Sequence, residues 1–210
     1  MSPNAEQALS ILRDSSQFQW YVIPLLIIVI YIYNVEIGKK NWDTVFAGLA
    51  LWGMDWFNEI WNALVFYFSE FAPVWGAPSK TAYLLLIGLN IEICFMFSIM
   101  GVACVQVLPK DKSLKIWGIP NRLFIACFYS FLSVIVEIFL NQAAALTWDY
   151  AWWSMYQPWL IFLFGYLPFF VVAFWVYDMP SIRNKIITVS LILGFDIICL
   201  IIFGGVFHWI

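Results

Sequence analysis

Asp55, Asn58, Glu59 and Asn62 fall at i, i+3, i+4 and i+7 inside an apolar run from about Val45 to Phe68. On a helix that spacing places the four on one polar stripe, with Trp56, Phe57, Ile60 and Trp61 covering the rest. Such a stripe is unstable against lipid, because an acidic side chain near the bilayer centre costs roughly 2.5 kcal/mol or more. It turns instead into a bundle or a cavity, where it either does chemistry or holds helices together through polar contacts. Later apolar runs carry Glu92 with Asn90 just ahead of it, Glu137 with Asn141 one turn on, and Asp196. No Lys or Arg lies deep in these runs to neutralise the five carboxyls, and the single histidine, His208, stands at the last turn. Some of the acids must therefore be held neutral. A neutral carboxylic acid in an aromatic-lined pocket is a proton donor. Asp55, Glu59, Glu92, Glu137 and Asp196 are the candidate catalytic groups. The amides of Asn58, Asn62, Asn90 and Asn141, with the rings of Trp52, Trp56 and Trp61, are the candidate substrate-binding groups. This set suits acid catalysis on an apolar substrate.

The residues that are missing narrow the chemistry. Haem b ligation in a bundle, or a Glu-x-x-His di-iron site, needs histidines within the spans. Retinal attachment needs an intramembrane lysine, and a Ser-His-Asp set needs a histidine in reach. A Mg²⁺-diphosphate site would want clustered aspartates, and Asp55 with Glu59 is too sparse for one. No metal and no cofactor is expected. Cys94, Cys104, Cys127 and Cys199 all lie in apolar runs at no ligand spacing and read as packing residues. The net charge of −3 and the lack of a basic cluster argue against nucleic acid.

These side chains must be positioned by membrane-spanning helices. Of the 210 residues, 64% are hydrophobic and only 11% charged, where about a quarter charged is usual for a soluble domain. Besides the run just described, others extend from about Trp20 to Val35, Ala82 to Val107, Leu123 to Leu146, Trp152 to Tyr177 and Ile186 to Trp209. About 20 residues cross the ~30 Å hydrocarbon layer. The expectation is an all-α, polytopic membrane protein: one domain over residues 1–210, a bundle of six transmembrane helices. It would sit in the endoplasmic reticulum of a eukaryote or the plasma membrane of a bacterium. The first run is followed by Glu36 and Lys39-Lys40 without a small-residue cleavage site, so it reads as a retained span. Residues 1–18 read as a short interfacial helix or a frayed tail.

Orientation follows from the basic residues. Lys39 and Lys40, then Lys110, Lys112, Lys115 and Arg122, then Arg183 and Lys185, occupy alternate loops, while the other side has Arg13 and Lys80. The positive-inside rule puts both termini outside. At 1.5 Å per residue, Asp55 and Glu59 lie roughly 15 to 22 Å in from the cytoplasmic end, and Glu92 about 15 Å in from the outer end. The five acids would share a layer from the midplane outward, in a chamber opening to the outer side. Span five adds Gln157, Pro158, Gly165, Tyr166 and Pro168, and such prolines commonly mark a bend beside a cavity. The aromatic loop from Thr147 to Trp153 is an interfacial belt or part of a site.

Glu59-Ile60-Trp61-Asn62-Ala63-Leu64-Val65, followed by Gly88-Leu89-Asn90-Ile91-Glu92-Ile93 and a basic loop, resembles the small membrane-embedded terpene cyclases of fungal meroterpenoid and indole diterpene pathways. Those proteins have a W-E-I-x-Y-x-L-like motif on an early span and a G-L-x-I-N-like motif on the next. The resemblance covers the first three spans best and returns at Leu193-Gly194-Phe195-Asp196. It implies protonation of a terminal epoxide or alkene of a prenyl chain and a cationic cyclisation that a base quenches. Glu59 matches the family's early glutamate and Asp196 its late aspartate, with Trp52, Trp56 and Trp61 stabilising cations through their ring faces. The chain departs from the pattern in having six spans where the family has seven, and Asn58 where the family has a Trp beside the glutamate.

Other functions use similar residues. Intramembrane acids relay protons or cations, although no inverted repeat is evident here. A non-catalytic subunit or lipid-binding protein would use them to knit helices, and a sterol or carotenoid isomerase or hydratase would use comparable acids and aromatics. The expected partners are an apolar prenyl or sterol-like molecule and membrane lipid.

Overall fold

The structure, a computed structural model, describes residues 1–210 apart from the Gln17 side chain. The apolar runs become long helices: α2 (Val22–Gly38), α3 (Trp42–Ser69), α4 (Ile91–Val105), α5 (Asn121–Gln142), α6 (Pro158–Asp178) and α7 (Ile182–Val206). A short α1 (Pro3–Ile11) precedes them. Among the described residues, α5, α6 and α7 are long and apolar enough to cross a bilayer, and α2 and α4 are apolar but shorter. At 28 residues α3 is the longest helix, and it is the one that carries the acidic stripe.

α3 is the hub of the bundle. It packs most extensively against α6, α4 and α7, while α2 leans on α4 and α5 on α6. Small residues allow the closest approach: a Cβ added to Gly101 of α4 would lie 2.7 Å from the Gly48 carbonyl of α3. Close backbone contact of this kind is how helices associate in lipid, where apolar burial gains little.

α6 is interrupted by a π-helical stretch, Ile161–Tyr166. Pro168 has no N–H to give to the carbonyl four residues earlier, and that carbonyl, of Phe164, accepts instead from Asn58 Nδ2 of α3 at 3.2 Å. A polar residue of the acidic stripe thus repairs the backbone break of the neighbouring helix.

The third apolar run is only partly helical. Residues 84–90 form a two-stranded antiparallel hairpin, β1 (Leu84–Leu86) with β2 (Leu89–Asn90). α4 starts at Ile91, its first turn capped by the Asn90 side chain, which accepts from the Ile93 N–H at 2.8 Å. A second small hairpin, β3 (Lys115–Ile116) with β4 (Ile119–Pro120), leads into α5. The fold is therefore dominated by helices rather than purely α.

The N-terminal segment is neither frayed nor laid against lipid alone. Ser2 Oγ caps α1 by accepting from the Ala5 N–H, and Ser2 and Asn4 both donate to the carboxylate of Asp149. Ala5 and Ala8 are buried, Ala8 against Ala63, Ala77, Leu84, Ile87 and Leu146. The small alanine face fits protein, which the expectation of an interfacial helix did not allow for.

Both chain ends meet at this end of the bundle, where Arg13 Nη1 donates to the carbonyl of Ile210 at 3.3 Å. The basic residues gather at the opposite end. There Arg122 and Lys112 pair with Asp178 at 2.8 and 3.3 Å, and Lys185 pairs with Asp43 at 2.7 Å. Lys39 pairs with Glu36 at 2.8 Å.

Candidate functional site

The polar stripe of α3 faces inward. Asp55, Asn58 and Glu59 line a cavity of about 220 Å³ between α3, α4, α5 and α6. α5 contributes Glu137, so three of the five candidate acids meet there. The rest of the wall is apolar and aromatic, with Phe97 from α4, Tyr129 from α5, and Tyr166 and Phe169 from α6. The π-helical stretch that contains Gly165 and Tyr166 is thus a wall of the cavity, at the bend that Pro168 marks in the sequence.

Loops cover the cavity at the end of the bundle where Arg13 meets Ile210. Trp75, Gly88, Leu146 and Trp153 form the roof. The rings of Trp75 and Trp153 stack at 5.5 Å, and the two loops are joined by reciprocal backbone hydrogen bonds between Gly76 and Thr147 at 3.0 and 2.9 Å. Asn62 pins this roof to α3: its Oδ1 accepts from the Val74 N–H at 2.7 Å and the Trp75 N–H at 3.3 Å, and its Nδ2 donates to the Trp75 carbonyl at 2.7 Å.

The roof also orients the acids. Trp75 Nε1 donates to Glu59 Oε1 at 2.8 Å, and Trp148 Nε1 donates to Glu137 at 3.0 Å. Glu59 Oε2 and Asp55 Oδ2 are buried without a hydrogen-bond partner in the protein. A buried polar atom left unpaired costs roughly 1–3 kcal/mol, and a fold that retains several of them is spending stability on something other than packing. Gly88 is required here, since a Cβ in its place would lie 2.5 Å from Asn62 Nδ2 and 2.7 Å from Glu59 Oε2.

Asp196 lies behind the cavity rather than in it. It comes from α7 toward Gly53 of α3, two residues before Asp55, where a Cβ would lie 3.6 Å from Asp196 Oδ2. Both of its carboxyl oxygens are buried and unpaired. Asp196, Asp55, Glu59 and Glu137 therefore form a row through α7, α3 and α5.

Glu92 is not part of that row. It sits on the first turn of α4, where its carboxylate accepts from the hydroxyls of Tyr21 and Thr81 and, at 2.8 Å, from the Ala82 N–H. Counting depth along a continuous helix from Ala82 places it too far in, because the first part of that run is a hairpin.

The candidate binding residues divide similarly. Asn58 lines the cavity. Asn62 and Asn90 are bound to backbone as described, and Asn141 donates to the Leu146 carbonyl at 3.1 Å. Trp52 Nε1 reaches Cys94 Sγ at 3.3 Å, and its ring meets that of Trp56 edge to face, on the side of α3 toward α7. Trp61 lies outside the cavity against Trp75 and is partly exposed. The aromatic walls belong instead to Trp75, Trp153, Tyr129, Tyr166 and Phe97. The loop tryptophans were open to the reading of an interfacial belt, and only the bend signal near Tyr166 pointed to the cavity.

Among the described residues, no three His, Cys, Asp or Glu side chains converge as metal ligands. All four cysteines are free, and Cys94, Cys104 and Cys199 are buried in the packing.

No solved structure matches the chain. An uncharacterized protein of Archaeoglobus fulgidus is 60% identical over 206 residues, covering 98% of each chain. A second uncharacterized protein of the same organism is 57% identical over 56 residues, its whole length but 27% of this chain. A family profile described as an uncharacterized membrane protein family matches residues 2–205. A helical bundle rich in apolar helices, with a relative of nearly the same length, thus belongs to that family of membrane proteins.

Proposed function

We propose that the protein is a membrane-embedded acid catalyst that cyclises a prenyl-type hydrocarbon chain. The observation that carries the reading is the Glu59 carboxyl: buried, held through Oε1 by Trp75, with Oε2 unpaired, beside a cavity walled by aromatic and aliphatic groups. Glu59 gives its proton to a terminal alkene or epoxide of the substrate. A new C–H bond forms, or the epoxide C–O bond opens to a hydroxyl, leaving a carbocation. Ring faces of Trp75, Trp153, Tyr166 and Phe97 stabilise positive charge as it moves along the chain, each by about 0.5–2 kcal/mol. A carboxylate, Glu137 or Asp55, then removes a proton to form the product alkene, and the proton returns to Glu59 through neighbouring acids. Asp196 extends this proton store behind Asp55. The resemblance of the Glu59 and Gly88 segments to membrane terpene cyclases supports the same chemistry.

The reading includes a topology. Six helices cross the membrane, with the basic end inside by the positive-inside rule and both termini outside. The meeting of Arg13 with Ile210 supports an even number of crossings.

A proton path without chemistry is the second reading, favoured by the row Asp196, Asp55, Glu59 and Glu137. The experiment that separates the two incubates purified protein with linear prenyl alcohols, epoxides and diphosphates and analyses products by mass spectrometry. Cyclised product from wild type, lost in Glu59→Gln while the variant purifies and melts normally, supports the catalyst. Proton flux into liposomes without substrate, lost in Asp55→Asn, with no product from any prenyl compound, overturns it in favour of the path.

A further inference from the structure

The roofed cavity must be reached from somewhere, and one side of it is open. α4 and α5 follow each other in the chain and share the cavity wall, yet they scarcely touch each other, α4 being packed chiefly on α3 and α2 and α5 on α6. Met96 of α4 and Leu132 and Val136 of α5 line the cavity, and they are 43%, 45% and 43% exposed. Cavity wall and outer surface thus meet at these three side chains. In a membrane this surface is lipid.

A second hollow adjoins the first. On the other flank of α4 a groove against α2 is lined by Leu25, Phe95 and Ile99, and by Met96 and Met100, which also line the cavity. The two spaces share a wall of two methionines one turn apart. Methionine is unbranched and flexible, and it adapts its shape to what lies against it. Glu92 at the outer end of the groove has its carboxylate occupied by Tyr21, Thr81 and Ala82, so it offers no free charge to a headgroup. From Glu92 to Met100 the groove follows α4 for about 12 Å.

We infer that the gap between α4 and α5 is a lateral portal for a linear hydrocarbon chain dissolved in the bilayer, and that the α2–α4 groove binds the part of the chain remaining outside. The reactive end lies in the cavity near Glu59, the chain crosses the Met96–Met100 wall, and its tail rests along Phe95 and Ile99. The substrate is therefore a single apolar chain longer than the cavity. This inference rests on the acid-catalysis reading for the identity of the reactive end, but not for the path.

The test uses the full-length protein in lipid nanodiscs and a geranylgeraniol analogue carrying a diazirine at its tail. After irradiation, labelled peptides are mapped by mass spectrometry, with and without excess unlabelled geranylgeraniol. The portal predicts competed labelling at Phe95 and Ile99, and its loss in Met100→Trp. Leu132→Trp closes the same mouth from α5 at an exposed position that tolerates bulk, and it gives the same loss if Met100→Trp fails to fold. Glu59→Gln labels like wild type, and labelling of the wild-type protein without any cyclised product from it would leave the portal standing and remove the catalytic reading. Uncompeted labelling spread evenly over other lipid-facing residues such as Phe128 and Leu191, unchanged in both Trp variants, would overturn the portal.

Discussion

Trp75 Nε1 donates a 2.8 Å hydrogen bond to Glu59 Oε1, so a residue of the loop after α3 orients the acid on the central helix. Trp75→Phe keeps an aromatic ring beside Trp153 and removes the donor together with the indole's five-membered ring. Losing the partner of a buried carboxyl costs about 1–3 kcal/mol, so the thermal midpoint should fall. With Glu59 free to rotate, kcat should drop about tenfold while KM changes little, because the lost interaction positions the acid and not the substrate. Steady-state kinetics on the cyclised product check this. An unchanged kcat would mean that the bond serves the roof alone.

Gly88 faces the same acid from the hairpin. A Cβ there would lie within 2.7 Å of Asn62 Nδ2, Glu59 Oε2 and Trp75 Cδ1. Gly88→Ala should cost about 1–3 kcal/mol in overpacking, and it should lose activity well beyond that, because one of the three displaced atoms is the proposed proton donor. Thermal unfolding in detergent, read beside turnover, separates the two effects.

The inward stripe on α3 is legible from spacing, since acids at i and i+4 in an apolar helix have only one side to turn to. What spacing cannot give is the partner. Asn58 and Asn62 look like substrate-binding amides, yet one satisfies a carbonyl freed by Pro168 and the other holds a loop. Trp75 and Trp153 come from loops whose path has no periodicity to read, and their place in the roof depends on pairing between segments some 70 residues apart, as at Gly76 and Thr147. Glu92 is misplaced by a length argument. Residues 84–90 count as helix by hydrophobicity but fold as a hairpin, and this moves the acid from the middle of a long helix to the first turn of α4.

Asp196 gives a prediction in which stability and activity move in opposite directions. Both of its oxygens are buried and unpaired, so replacing it by an apolar side chain of similar size removes a desolvation cost. Asp196→Leu should raise stability by about 1–3 kcal/mol. Turnover should fall even though Asp196 lies outside the cavity, because Asp55 loses its neighbouring proton store. A lower thermal midpoint with turnover intact would make Asp196 a helix contact and nothing more.

The last relationship to test is the one between Asn58 and Pro168. Because Pro168 cannot donate to the Phe164 carbonyl, Asn58 Nδ2 does so across the helix interface. Asn58→Ala should therefore destabilise the protein by about 1–2 kcal/mol, the cost of a carbonyl left unpaired at membrane depth. Pro168→Ala supplies an N–H within α6 for the same carbonyl, so Asn58→Ala made in that background should cost much less. A double-mutant cycle on thermal stability measures the coupling between the two positions, which should be about 1 kcal/mol. A coupling near zero would mean that the hydrogen bond does not repair the break. It would also leave Asn58, the one candidate amide that lines the cavity, free to contact substrate directly.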